Sequence, residues 1–284
     1  MIDIQNISFN YAGQKTKVFD NFSLQLTENN IYGLLGKNGT GKSTLLYLVS
    51  GLLRPSQGTV KVDGVESMLR RPEMLEELFI VPEEFDLPNM TLEKYVSINQ
   101  SFYPRFSREV LQNCLNDFEL PASLSLQSLS MGQKKKVFMS FALAAGTRLL
   151  LMDEPTNGLD IPSKVQFRRV VANNMTDDRT LIISTHQVHD VESLLDHILI
   201  LSNEKLLLDA SVADICEQYN FEYRTPGAST DDVLYSEPSV QGNAVITRRT
   251  PDMPETPLNL ELLFNAVTLG KVNGSIGNQG KTNQ

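Results

Sequence analysis

The stretch Gly36-Lys37-Asn38-Gly39-Thr40-Gly41-Lys42-Ser43-Thr44 decides the fold, because it matches in full the phosphate-binding pattern G-x-x-x-x-G-K-[ST]. Ile31, Tyr32, Leu34 and Leu35 form a short apolar run before it, and Leu45, Leu46, Leu48 and Val49 recur with helical spacing after it. That order is strand, loop, helix. Glycines at 36, 39 and 41 let the loop turn its N–H groups inward as an anion nest, and the helix starting near Lys42 adds the positive end of its dipole. In such a loop Lys42 reaches the β- and γ-phosphates of a nucleotide, and the Ser43 hydroxyl is a ligand of the accompanying Mg²⁺. Asn38 and Thr44 complete the set expected to contact the nucleotide.

The chain has 284 residues, enough for one large α/β domain and a smaller appendage without covalent staples. Its two cysteines, Cys114 and Cys216, are far apart, so neither a zinc site nor a disulfide framework is indicated and a reducing compartment fits. Met1-Ile2-Asp3-Ile4 lacks the regions of a signal peptide, and no apolar run is long enough to cross a bilayer. The expectation is a cytoplasmic protein whose membrane role, if any, passes through a protein partner. A net charge of −9 argues against broad binding to nucleic acid, since phosphate contacts need a basic face.

Outward from the loop, residues 2 to 11 read as a strand whose apolar parity changes after Ile4, the mark of a bulge. A second strand is expected over Val18 to Leu26, with Gly13 and Asn21 at turns, and an alternating strand over Thr59 to Gly64. Leu78 to Val81 is a buried strand ended by Pro82. From Asp86 to about Gly146 the texture is helical, with Ser107 an N-cap and Val110, Leu111, Cys114, Leu115 and Phe118 on one apolar face. Leu149 to Met152 and Leu181 to Ser184 suit central parallel strands, and Ile198 to Leu201 with Leu206 to Leu208 suit a closing hairpin. The fold class is therefore α/β, with a mostly parallel central sheet, an antiparallel β subdomain, a helical insert and a small C-terminal extension. Beyond Ser211 a short helix to Tyr219 leads into a Pro-rich segment expected to hold only short strands and turns. A last helix is expected over Leu258 to Val267, and the Gly- and Asn-rich end from Gly270 to Gln284 reads as a disordered tail. The domain expectation is 1–210 for the nucleotide domain and 211–269 for the extension.

Two carboxylates, Asp153 and Glu154, follow the apolar run Leu149 to Met152, at the strand end where a doubly wound sheet places its ligand crevice. Asp153 suits a Mg²⁺ ligand and Glu154 is next in line to polarise an attacking water. Leu129-Ser130-Met131-Gly132-Gln133 reads as the start of a helix with Ser130 at the N-cap. Lys134, Lys135 and Lys136 follow and oppose that helix's dipole, which points either to an anion approaching this end or to lysines left in solvent.

The ordered set of phosphate loop, helical insert ending in Leu129 to Gln133, Leu149 to Glu154, Asn157-Gly158-Leu159-Asp160 and Ser184-Thr185-His186 resembles the ATP-binding cassette (ABC) ATPases, the engine subunits of ABC transporters. The resemblance covers about residues 1 to 210 and implies a P-loop NTPase fold, ATP and Mg²⁺. It implies that Tyr11 stacks on adenine, that Gly36 to Thr44 is the Walker A loop, and that Asp153 and Glu154 are the Walker B Mg²⁺ ligand and catalytic base. It implies that Ser130, Gly132 and Gln133 touch the γ-phosphate held by the opposite subunit, that Asp160 belongs to the loop linking the two sites, and that His186 is the switch histidine. The chain departs from the family at Met131, where glycine is usual, and at Glu83, where glutamine is usual and can offer an oxygen to Mg²⁺. An acid at that position looks like some exporter-type members, which favours export over import.

The implied function is an ATP-hydrolysing motor that pairs with a second ATPase subunit and drives a separate integral-membrane permease from the inner face of the cell membrane. The implied partners include no nucleic acid and no direct membrane insertion. The rival readings are a soluble ABC-type ATPase acting on ribosomes or DNA, and a regulatory module that binds nucleotide without hydrolysing it. The chain has no second phosphate loop and no basic face to support the first, and Glu154 speaks against the second.

Overall fold

A computed structural model of the chain describes residues 2 to 272 except 122, 203 and 241, so the tail expectation from 273 onward lies outside the described residues. The chain opens with β1 (Ile2–Phe9), β2 (Phe19–Leu26) and β3 (Ile31–Leu35), then α1 (Lys42–Val49), β4 (Gln57–Val62), β5 (Val65–Glu66), α2 (Pro72–Leu75) and β6 (Leu78–Val81). The insert follows as α3 (Leu92–Asn99), α4 (Arg108–Asp117) and α5 (Met131–Ala144). Then come β7 (Leu149–Asp153), α6 (Ile161–Asn173), β8 (Thr180–Thr185), β9 (His197–Ser202) and β10 (Lys205–Ser211). The extension comprises α7 (Val212–Gln218), β11 (Tyr219–Arg224), β12 (Val233–Ser239), β13 (Gly242–Arg248) and α8 (Leu260–Thr268).

The central sheet has the order β10-β9-β3-β8-β7-β6 and is parallel from β9 to β6, with β10 added antiparallel. Its inner strands are continuous apolar runs because both faces are covered. Along β7, Leu150 and Met152 enter one apolar cluster and Leu149 and Leu151 enter the other, the alternation a pleated strand imposes. One cluster packs the sheet against α1 and the antiparallel sheet β2-β1-β4-β5; the second packs it against the insert and the extension.

The parity change in β1 is a real irregularity: its register with β2 shifts between Ile4 and Ile7, and Asn6 between them has φ +49°. Asn21 differs from expectation, since it lies inside β2 at φ +52° and not in a turn. Its backbone N–H is held by the Ser8 hydroxyl, so asparagine's tolerance of the left-handed region serves a kink within the strand pair. The insert is less helical at its start than its texture suggests. Residues 86 to 91 form no helix, and Thr91 both bridges to Ser125 and caps α3 by accepting from Lys94 N. Ser107 caps α4 as expected, accepting from Val110 N, and Leu111, Cys114, Leu115 and Phe118 are buried.

The extension departs most from expectation. Its Pro-rich segment builds a three-stranded antiparallel sheet, β11-β13-β12, with strands of six and seven residues. Pro238 is tolerated because β12 is an edge strand, where a missing N–H costs no ladder bond. Phe221, Ile246, Leu260 and Leu263 are buried in the same cluster as Leu208 and Ile215, so the extension shares its core with the central sheet.

Candidate functional site

The phosphate loop leaves the buried strand β3 and ends at Gly41, which has φ +97° and stands as N-cap of α1 with no side-chain cap. A Cβ at Gly41 would lie 2.8 Å from Val18 Cγ1, and one at Gly36 would lie 2.5 Å from Thr40 Oγ1 and 2.8 Å from the Leu201 carbonyl oxygen. Gly41 therefore needs glycine on space as well as on backbone, and Gly36 needs it on space. A cavity of about 410 Å³ opens over the loop, lined by Tyr11, Asn38, Gly39, Gly41, Lys42, Ser43, Thr44, Glu83 and Glu154 among others. The Tyr11 hydroxyl lies 2.9 Å from Thr44 Oγ1, and its ring sits edge-on to Phe9 at 5.1 Å with 37% of the residue exposed. That leaves an aromatic face at the rim of the cavity.

Lys42 is buried and donates to the carbonyls of Gly36 at 2.9 Å and Lys37 at 3.3 Å, with Nζ 3.7 Å from Glu154 Oε1. Glu154, buried at the end of β7, adopts φ +45°, an unusual conformation for a side chain of that length. Its carboxylate accepts from Thr185 Oγ1 at 2.9 Å and from the His186 backbone N–H at 3.1 Å, and meets His186 Nδ1 at 2.8 Å. The end of β8 and the residue after it thus aim the Glu154 side chain, while backbone strain at Glu154 marks the turn as over-determined by its surroundings.

Asp153 accepts from the Ser184 hydroxyl through Oδ1, but its buried Oδ2 has no hydrogen-bond partner. Burial raises the Asp153 carboxyl above the usual carboxylate range, against the lowering influence of the Ser184 and Ser43 hydroxyls. An orphaned carboxylate oxygen beside a hydroxyl at the phosphate loop fits a hard divalent cation. Mg²⁺ keeps most of its shell as water and phosphate oxygens, so this small donor set is sufficient without a cage of acids.

The other predicted residues lie elsewhere. Ser130 caps α5 in a reciprocal box, its Oγ accepting from Gln133 N at 3.3 Å while Gln133 Oε1 accepts from Ser130 N at 3.0 Å. Ser130, Gln133 and Met131 are exposed, and Gly132 faces Gly158 and Leu159 at 3.8 Å. Asp160 caps α6, accepting from Ser163 N at 2.9 Å. None of Ser130, Gly132, Gln133 and Asp160 lines the cavity that holds Lys42.

Glu83 is at the cavity, and its Oε1 accepts from Asn157 Nδ2 at 2.8 Å. Lys135 and Lys136 of α5 behave unlike either expectation for them. Lys135 is buried and donates to the carbonyls of Glu154 at 3.2 Å and Asn157 at 2.8 Å. Burial lowers its ammonium below the usual lysine range, opposed first by the charge of Glu83. Lys136 donates to Gln166 Oε1 at 2.9 Å and lies 5.8 Å over the Phe118 ring. These inward lysines carried no sequence signal, because their helical spacing is that of a solvated face.

The sequence profile described as "ABC transporter" matches residues 19–157. The chain is 32% identical over 229 residues to the methionine import ATP-binding protein MetN of Carboxydothermus hydrogenoformans, spanning 76% of this chain and 67% of that protein. It is 28% identical over 221 residues to the ABC transporter ATP-binding protein YtrB of Bacillus subtilis, spanning 77% of this chain and 75% of that one. In fold it resembles the dimeric structure of the bacterial ABC transporter cassette MJ0796, with TM-score 0.65 and 24% identity over 75% of this chain and 99% of that chain. The chain belongs to the ATP-binding cassette family of transporter ATPases. Among the described residues no helix is long and apolar enough to cross a membrane.

Proposed function

We propose that the chain is the ATP-hydrolysing motor subunit of an ABC transporter, working from the cytoplasmic face on a separate membrane permease. The observation that carries this is the approach of Lys42 Nζ to Glu154 Oε1, at 3.7 Å, beside the unsatisfied Asp153 Oδ2. An ammonium, a base and an anionic ligand site then converge above the phosphate loop, which is the equipment phosphoryl transfer needs.

In this reading the N–H groups of Gly36 to Ser43 cradle the phosphates, with the Tyr11 ring against adenine. Lys42 leaves the carbonyls of Gly36 and Lys37 for the β- and γ-phosphates. Ser43, Asp153 and the second oxygen of Glu83 would hold Mg²⁺, which when bound neutralises phosphate charge. Glu154 accepts the proton of the attacking water, held in aim by Thr185 and by His186, which also faces the γ-phosphate. Ser130, Gly132 and Gln133 complete the site of a second subunit, with Asp160 between the two sites. A second copy of this chain suffices as that subunit, because one chain carries both halves. A cleft of about 550 Å³ between the insert and β6, with Phe79, Tyr95 and Phe138 in its wall and Leu52 and Phe102 exposed at it, offers apolar surface to the permease. The acidic Glu83 favours export as the direction.

Steady-state ATP hydrolysis by wild type and Glu154→Gln tests the reading. Loss of a general base is expected to lower turnover by roughly 10²-fold or more while ATP binding is kept. Undiminished hydrolysis in Glu154→Gln would overturn the assignment of the base.

A further inference from the structure

We propose that Lys135 is a positioning residue for hydrolysis, tying the helix that begins at Ser130 to the turn that carries Glu154, with Glu83 as its charge counterpart. The inference rests on the hydrolytic reading of Glu154. Lys135 sits in the second turn of α5 and sends its ammonium into the turn after β7, where it bonds the carbonyls at both ends of Glu154 to Asn157. That turn is closed by its own bond from Asn157 N to the Glu154 carbonyl at 3.2 Å and holds Glu154 at φ +45°. Asn157 is the shared member: its carbonyl accepts from Lys135 and its side-chain amide donates to Glu83.

The arrangement answers a charge problem. Glu83, Asp153 and Glu154 are three carboxyl groups at one buried or half-buried place. Lys42 Nζ lies 3.7 Å from Glu154 Oε1, and Lys135 is a second buried ammonium, held on the carbonyls of Glu154 and Asn157. A lysine placed there both orders the turn, through two carbonyls, and screens Glu83 from its neighbours. Movement of α5, which is capped by the exposed Ser130 and bears the half-buried Gly132, is thereby transmitted to the main chain of Glu154 by one side chain.

The test uses the full chain as wild type, Lys135→Met, Lys135→Gln, Glu83→Gln and the double variant Glu83→Gln/Lys135→Gln. Steady-state ATPase kinetics, TNP-ATP binding and amide hydrogen exchange across residues 154–160 are measured for each. Lys135→Met is expected to lower kcat about tenfold or more with KM within about twofold, and to speed exchange at Asn157 and Leu159. Lys135→Gln, which keeps a donor and folds more readily, is expected to show the same in smaller measure. Glu83→Gln, which keeps an acceptor for Asn157 but removes the charge, is the single variant against which the double variant is compared. The double variant is expected to exceed Lys135→Gln in kcat, since the uncompensated charge is gone; a merely structural defect would not be relieved this way. Unchanged exchange and kcat in both Lys135 variants would overturn the positioning role, and independent, multiplying effects in the double variant would overturn the pairing with Glu83. Wild type that binds ATP without turnover, its exchange still sensitive to Lys135, would instead overturn the hydrolytic reading.

Discussion

Lys42 and Ser130 both stand at the start of a helix, yet the two helix ends are finished in opposite ways. At α1 the N-cap is Gly41, no side chain caps the first turn, and Lys42 is buried beneath a cavity. At α5 Ser130 and Gln133 satisfy each other's backbone N–H groups, and the end is exposed. An uncapped helix N-terminus keeps its donors for an anion, whereas a capped one has spent them on itself. The first end is thus open to phosphate within one chain, and in the proposed function the second would meet a phosphate held by another subunit. The difference is what the proposal of a site shared between two subunits rests on.

Breaking the first end should have the largest effect. Lys42→Ala removes a charge-assisted bond to phosphate, with an expected loss of about 10- to 100-fold in ATP affinity by equilibrium binding. Breaking the second end should leave affinity nearly intact. Ser130→Arg is expected to prevent the ATP-dependent dimerisation predicted for Glu154→Gln, measured by sedimentation, and to remove most turnover in the otherwise wild-type chain. Equal loss of ATP affinity in Ser130→Arg would erase the distinction between the two ends.

The extension sharpens the comparison by belonging to neither end. Truncation after Gln218 strips Phe221, Ile246, Leu260 and Leu263 from a shared core, so a lower melting temperature is expected with ATP binding retained. The same cut removes Glu261, whose Oε2 lies 2.6 Å from His189 Nε2, and the Leu260 N–H that donates to Glu192 at 2.7 Å. A folded truncation unable to bind ATP would show that the extension completes the site.

The smallest effect is expected at Asp153. Its folded carboxyl is raised above the unfolded value, so its ionised form is disfavoured in the fold. Stability therefore falls as pH rises from the unfolded value through the raised one and stays lost at neutral pH. Asp153→Asn should raise the melting temperature of the nucleotide-free chain by a few degrees at pH 7 and weaken the response to Mg²⁺ and ATP, measured by thermal melts. A lower melting temperature without ligand would mean that Asp153 is a structural group.

The parts legible in the sequence were those governed by local pattern. The phosphate loop, the buried parallel strands, the caps at Ser107 and Ser130 and the irregularity after Ile4 each follow from spacing over a few residues. The inward turn of Lys135 was not legible, because its partners are the carbonyls of Glu154 and Asn157 some twenty residues on, and carbonyls carry no residue identity. The extension's sheet was missed for a related reason: prolines and glycines read as turns, while the register of Tyr219 to Arg224 on Gly242 to Arg248 is a long-range pairing. Glu83 was legible as a departure from the family, but its bond to Asn157 was not.

The account's central claim is that Lys42 of one subunit and Ser130 of another serve one nucleotide. Mixing Lys42→Ala with Ser130→Arg protein tests it directly, since each alone has no intact site and a mixed dimer has one. The account predicts two inactive proteins that together recover about a quarter of the wild-type ATPase rate, if the sites act independently. Mixed dimers that form on ATP and show no recovered hydrolysis, or Ser130→Arg alone at the wild-type rate, would contradict it.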